Sequence, residues 1–155
     1  MKKNLSTHFT ALLLLILMGN PMIAAESKKG IGRVTIDTKL VSLTFDDGPL
    51  HNVPQILNIL KKHDAKATFF VLGKRVKTQP KVTKQIVTEG SEVANHSYTH
   101  ANLAELSLKE IRSEVERTQQ EVINATGATP TLFRAPYIKY SSEVRQVLEE
   151  YKLRE

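Results

Sequence analysis

The sequence has 155 residues, of which 25% are charged and 41% are hydrophobic, and it carries a formal net charge of +6 at pH 7. This length suits one domain rather than two, and the composition is that of a folded soluble protein. The absence of cysteine excludes a disulfide framework and a thiolate metal site, so any metal must be held by His, Asp or Glu.

The first 25 residues have the pattern of a secretory signal peptide. Lys2 and Lys3 precede an unbroken apolar run from Ala11 to Met18, and Met22–Ala25 ends in small residues that suit cleavage. The run is shorter than the roughly 20 residues of a stable membrane span, although an uncleaved anchor is the alternative. We therefore expect export of the domain, with residues 26–38 as a polar N-terminal lead.

Strands and helices alternate over residues 39–155. The predicted strands are Lys39–Phe45, with Val41, Leu43 and Phe45 on one face, then Ala67–Leu72, Glu92–Ala94 and Thr131–Arg134. The predicted helices are Val53–His63, Pro80–Glu89, a long helix from the capping box Ser107–Glu110 to Gly127, and Glu143 to about Leu153. This order predicts an α/β protein with parallel strands, in which the C-terminal strand ends carry the chemistry.

Two adjacent carboxylates, Asp46 and Asp47, stand where the first predicted strand ends. Because successive side chains of a strand point to opposite faces, the two acids need not share one role. One could bind a metal while the other stays free to take a proton. Gly48 and Pro49 follow, and Asp, Gly and Pro are all turn residues, so a turn without chemistry is the alternative for this segment taken alone.

Two histidines, His96 and His100, follow the third predicted strand. They can converge on one ion if the segment between them makes a helical turn. Two His with one Asp leave coordination positions open for water, as a catalytic metal requires. The alternative is a chance pair of surface histidines, which is how we interpret His51 and His63.

A third cluster, Phe133–Tyr137, ends the fourth predicted strand. Arg134 within it can make forked hydrogen bonds with a carboxylate and keep that carboxylate ionised and aimed. A surface salt bridge is the alternative.

Taken in order, the segments TFDDGP, HSYTH and FRAPY resemble the motifs of the polysaccharide deacetylase family, and ATFFVLG between the first two is also similar to that family. The family includes NodB-type chitooligosaccharide deacetylases and peptidoglycan N-acetylglucosamine deacetylases. The resemblance runs from about Lys39 to the C-terminus. It implies an irregular (β/α) barrel that removes N-acetyl groups from an acetylated polysaccharide, such as peptidoglycan or a chitin-like polymer, outside the cell.

The resemblance also implies roles for five side chains. Asp46 would be the general base, and Arg134 would hold it by a salt bridge. Asp47 would bind a divalent metal together with His96 and His100. That metal is most often zinc in such enzymes, with cobalt as a possible substitute.

The third motif would complete the site. Tyr137 would contribute its backbone N–H to an oxyanion hole, and Pro136 would shape this substrate-binding loop. The usual Gly after the aromatic residue is Ile138 here, which we expect to reshape the loop.

Members of the family usually continue through an Asp-containing motif and a Leu-x-His motif that supplies the general acid, and neither occurs before Glu155. We therefore expect residues 39–155 to form a C-terminally incomplete deacetylase domain, a partial barrel that lacks its last strands. Such a domain would expose a sheet edge and be marginally stable or completed by another chain. Its turnover would be reduced.

The basic residues are scattered and the chain contains no Trp, so we expect no nucleic-acid partner. The oligomeric state is left open. Two other functions compete with an active deacetylase: a catalytically impaired remnant or sugar-binding module that retains the metal site, and an unrelated iron oxygenase. The oxygenase would leave Asp46 and the FRAPY segment unexplained.

Overall fold

A computed structural model of the protein describes residues 40–155. The predicted signal peptide and nearly all of the region before the first strand lie outside the described residues. Three parallel strands form a sheet in the order β1-β2-β3, namely β1 (Thr44–Gly48), β2 (Thr68–Val71) and β3 (Glu92–Asn95). The helices are α1 (Val53–Lys62), α2 (Gly73–Thr78), α3 (Pro80–Thr88), α4 (Leu108–Thr126) and α5 (Ser142–Glu150). The predicted α/β class with parallel strands is confirmed.

The predicted fourth strand, Thr131–Arg134, is present only as isolated parallel bridges. Asn95 pairs with Phe133, and Leu132 pairs with Arg154. The Asn95 N–H donates to the Leu132 carbonyl at 3.0 Å, and the Arg134 N–H donates to the Asn95 carbonyl at 3.0 Å. The prediction of a regular strand is wrong because pairing on each side is limited to one residue. The bridges nevertheless bring Arg134 beside the end of β3.

The first strand begins later than predicted. Residues 40–43 are not in a strand, and Val41 and Leu43 are 84% and 42% exposed. The register explains this difference, because pairing with β2 starts at Thr44 opposite Thr68. The prediction that Val41 and Leu43 lie on one strand face with Phe45 is therefore wrong.

The helices follow their local signals closely. Ser107 and Glu110 make the predicted capping box, and Gly127 ends α4 with a φ of 77°. The last helix ends at Glu150, before the predicted limit near Leu153. Beyond its end Lys152 has a φ of 54°, and Leu153 is buried in the core.

Two apolar clusters hold the sheet and helices together. The first lies between the strands and helices α1 and α3, and its buried members include Val53, Leu57, Leu60, Phe69, Val71, Ile86 and Val93. The second joins α4 and α5 and includes Leu103, Ile111, Val115, Phe133, Val144, Val147 and Leu148. Phe69, Phe70 and Val71 of β2 are all buried, as expected for a parallel strand covered on both faces. This packing provides a rigid support for the C-terminal strand ends.

The short helix α2 was not predicted, and it packs very closely against the segment after β3. A Cβ atom on Gly73 would lie 2.4 Å from the Tyr98 ring and 2.6 Å from the Thr118 hydroxyl. Only glycine therefore allows this approach. Among residues 40–155, none of the helices combines the length and apolar character needed to cross a bilayer.

Candidate metal centre and active site

The motif residues meet at the C-terminal ends of the strands. Asp46 and Asp47 lie near the C-terminal end of strand β1, His96 directly follows β3, and Arg134 follows the bridge at Phe133. The carboxyl ends of neighbouring parallel strands share one edge of the sheet. Residues far apart in the sequence therefore converge on one surface.

Asp47, His96 and His100 form a compact group. Asp47 Oδ1 lies 3.2 Å from His100 Nε2 and 3.6 Å from His96 Nε2. One ligand atom from each residue lies within 4.8 Å of the others. Metal–ligand bonds of about 2.0–2.2 Å in a tetrahedral zinc site place neighbouring ligand atoms roughly 3.3–3.6 Å apart. The spacing of the three residues therefore suits one small divalent cation.

The surroundings of Asp47 Oδ1 support the same conclusion. This oxygen is inaccessible to solvent and has no hydrogen-bond partner among the described residues. A buried acceptor without a partner is costly and uncommon in folded proteins. A cation between the carboxylate and the two imidazoles would satisfy it, so the residues present fit a metal ion.

The surroundings of His96 favour the neutral form of its ring. Its ring is buried, and its Nδ1 lies 2.7 Å from the Arg134 carbonyl. Burial lowers the pKa of His96, and this effect outweighs the opposing hydrogen bond to Arg134 and the nearby carboxylates of Asp46 and Asp47. In the neutral ring, an N–H at Nδ1 donates to that carbonyl. The lone pair is then on Nε2, which faces Asp47.

The segment from His96 to His100 does not make the helical turn that the spacing suggested. Ser97 and His100 instead have φ values of 67° and 70°, in the left-handed region that non-glycine residues rarely adopt. These two left-handed residues bring both rings to the same side, with ring centroids 5.2 Å apart. The rings thus converge by an irregular loop.

Asp46 is held apart from this group by Arg134. The Arg134 Nη1 donates to Asp46 Oδ1 at 2.7 Å and to the Thr44 hydroxyl at 3.1 Å. The guanidinium lies 4.0 Å above the centre of the Phe70 ring, a cation–π arrangement that fixes its plane. The contact uses one nitrogen rather than a fork. It leaves a carboxylate beside the candidate metal site that is not one of its three ligands.

The third motif forms a wall of the site. Pro136 is buried, whereas Tyr137 is 63% exposed and its ring centroid lies 4.9 Å from that of His100. Tyr137 and Ile138 have φ values of 60° and 55°. This wall places the aromatic face of Tyr137 next to His100, and Ile138 is exposed.

Two residues at the site were not predicted from the sequence. Arg75 of α2 donates from Nη1 to the backbone carbonyl of Asp47. Glu114 of α4 accepts hydrogen bonds from the loop that carries His100. The sequence pattern could have identified Glu114 as a buried acid. It lies three residues after Ile111 and next to Val115, on the apolar and buried face of the helix. His51 and His63 are exposed, as predicted.

We expect Ile138→Gly to raise the free energy of unfolding by about 1 kcal/mol, because a left-handed conformation costs an L-residue roughly 1–2 kcal/mol and glycine adds some unfolded-state entropy. Chemical denaturation would measure the change. Ile59→Gly is a matched control, because Ile59 is also exposed but lies within helix α1. There glycine should lower stability by roughly 0.5–1 kcal/mol. Destabilisation at both positions would contradict a strained Ile138.

Comparison with known proteins is consistent with this geometry. The sequence profile described as polysaccharide deacetylase matches residues 33–155. Peptidoglycan-N-acetylglucosamine deacetylase PgdA of Listeria monocytogenes is 42% identical over 116 residues, which are 74% of this chain and 24% of that protein. The chain thus spans about a quarter of the length of this curated relative.

Two solved structures are similar in both fold and sequence. A family 4 carbohydrate esterase from Streptomyces lividans in complex with acetate gives a TM-score of 0.72 at 41% identity, over 73% of this chain and 59% of that one. A CE4 family pseudoenzyme from Bacillus anthracis gives 0.71 at 39% identity, over 76% of this chain and 42% of that one. The likeness confirms the predicted partial (β/α) fold of the NodB type.

Proposed function

The chain belongs to the polysaccharide deacetylase family, and we propose that it hydrolyses N-acetyl groups of an N-acetylglucosamine polymer, of the peptidoglycan or chitin type, with the help of a divalent metal. The observation that carries this proposal is the separation of two carboxylate environments. Asp47 faces His96 and His100, while Asp46 is paired with Arg134. Amide hydrolysis needs such a division between a metal ligand and a proton acceptor.

The proposed metal ligands are Asp47, His96 and His100, with zinc as the expected ion and cobalt as a substitute. A divalent ion bound there would supply Lewis-acid chemistry toward water and the acetyl carbonyl. The protein's own contribution is to hold a neutral imidazole at His96 and to keep the three ligand atoms close. The Arg134 carbonyl holds the neutral His96 imidazole in place by accepting a hydrogen bond from the ring N–H at Nδ1.

Asp46 is the proposed general base. Its carboxylate is about 39% exposed and is held by Arg134, so it is open to a substrate water and kept in one orientation. The proton that Asp46 accepts from water can then be transferred to the departing amine. A positioned base of this kind contributes about 10²–10⁴-fold to a rate.

Tyr137 is proposed to donate its backbone N–H to the developing oxyanion, while Pro136 fixes the loop. The left-handed conformation at Tyr137 supports this role, because such backbone strain persists at sites where function requires it. The exposed ring of Tyr137 offers a flat apolar surface to a sugar.

We also propose that residues 1–25 direct export and that residues 39–155 form the deacetylase domain. An external location would bring the protein to an acetylated cell-wall polymer. The mild positive charge would favour an anionic wall.

The direct test is acetate release from chitooligosaccharides and from peptidoglycan after reconstitution with zinc or cobalt. We expect metal-dependent acetate release with at least one substrate, and a chelated sample serves as the control. Bound metal without acetate above that control would reject the proposed activity.

The second candidate function is a non-catalytic module that binds metal or sugar. Similarity to a protein from Bacillus anthracis favours it, because that protein has the family fold and is described as a pseudoenzyme. Binding of chitooligosaccharide without turnover, measured by calorimetry, would support this alternative.

A further inference from the structure

Glu114 is a buried carboxylate outside the motifs of the site, and its hydrogen bonds all run toward the loop that carries His100. The residue is 8% exposed. Its Oε2 accepts from the backbone N–H groups of Tyr98 and Thr99 at 2.9 and 2.8 Å, and its Oε1 accepts from the Thr99 hydroxyl at 3.0 Å. All three partners donate to the carboxylate oxygens of Glu114.

The loop has no regular secondary structure, so side chains must satisfy its N–H groups. The N–H of Ser97 donates to Asn95 Oδ1 at 2.9 Å, and that of His100 donates to Ser97 Oγ at 3.1 Å. Glu114 satisfies the two N–H groups between them. Among the side chains that accept hydrogen bonds from the N–H groups of Ser97 to His100, only Glu114 comes from a distant part of the sequence, namely helix α4.

The opposite side of the loop is held by α2. The Gly73 and Lys74 N–H groups donate to the carbonyls of Ser97 and Tyr98 at 3.1 and 3.2 Å. The Lys74 ammonium also donates to the Thr99 carbonyl at 2.9 Å. The loop is thus held between α2 and Glu114, and its left-handed residues are kept in place by contacts from both sides.

We propose that Glu114 is a positioning residue for the metal site, which fixes the left-handed turn at Ser97–His100 and so directs the His100 imidazole toward Asp47. This inference rests on the metal site of the proposed function. His96 is independent of Glu114, because the Arg134 carbonyl orients its ring. Loss of the Glu114 carboxylate should therefore disturb His100 and leave His96 in place.

The test uses Glu114→Gln, which keeps the shape of the side chain but replaces one acceptor oxygen with a donor. Cobalt affinity, followed by visible absorption, should fall on the order of tenfold or more, as for loss of other residues that orient a metal ligand. Glu116→Gln is the matched control, because Glu116 is an exposed acid on the same helix. Its affinity should equal that of the wild type.

A second measurement needs neither metal nor turnover. The His100 ring lies 4.9 Å from the Tyr137 ring, so proton NMR of the metal-free protein should show a ring-current shift at His100. In Glu114→Gln this shift should move toward that of an exposed histidine such as His51. The His96 signals should change less, because the Arg134 carbonyl holds that ring and only the neighbouring His100 ring, 5.2 Å away, is displaced.

The outcomes separate positioning from general stability and from the proposed activity. A lower melting temperature with unchanged cobalt affinity and an unchanged His100 signal would overturn the proposal. Failure of the wild type to release acetate would reject the deacetylase function and leave the Glu114 result standing.

Discussion

Replacing Asp46 by Asn should lower kcat for acetate release by about 10²–10⁴-fold, the usual contribution of a positioned general base. Asn has nearly the same shape, and its carbonyl oxygen can still accept from Arg134, which donates to Asp46 at 2.7 Å. An amide cannot accept a proton from water at neutral pH. KM should change little, because the lost interaction is made only in the transition state.

The metal content separates this effect from damage to the site. Asp46 is not one of the three residues whose ligand atoms converge, so Asp46→Asn should bind cobalt like the wild type. Asp64→Asn makes the same change of charge at an exposed residue and should keep full activity. Retention of wild-type kcat by Asp46→Asn would show that Asp46 is not the base.

The sequence predicts those parts of the fold that depend on local interactions. The capping box at Ser107 and the apolar spacing of α1 act within a few residues, and both are found in the structure. The placement of the motif residues at strand ends was also predictable, because parallel strands align their carboxyl ends. The approach of His96 to Asp47 follows from that alignment.

Features that depend on distant partners were predicted less well. The start of β1 is set by its register with β2, and the segment near Phe133 pairs through single bridges rather than as a strand. The pattern of apolar residues alone cannot show how many residues of a segment pair with a neighbouring strand. The short helix α2 has only six residues, too few for an apolar repeat to identify.

The irregular loop of the site was the least predictable element. A three-residue spacing between His96 and His100 suggested a helical turn, but the rings converge through left-handed residues held by Glu114 and α2. A conformation that is intrinsically unfavourable persists only when its surroundings determine it. Those surroundings come from distant parts of the chain, since Glu114 lies 15 positions after Thr99 and Lys74 lies 25 positions before it.

Replacing His100 by Asn should abolish tight metal binding, with cobalt affinity lower by more than the 10–100-fold that loss of an outer partner of a metal ligand costs. Asn suits this test because it tolerates a left-handed backbone, and His100 has a φ of 70°. Asp47→Ala and His96→Ala should have similar effects. His51→Asn, at an exposed position of the loop after β1, should bind normally.

Thermal unfolding gives an independent measure of the same loss. A ligand at 100 times its Kd stabilises a folded protein by about 2.7 kcal/mol, so saturating zinc should raise the melting temperature of the wild type. Without metal, His100→Asn should unfold at nearly the same temperature as the wild type, because His100 is partly exposed. Zinc should then fail to raise it. An equal rise in both proteins would mean that the ion binds elsewhere, and the Asp47–His96–His100 group would no longer explain the chemistry of this domain.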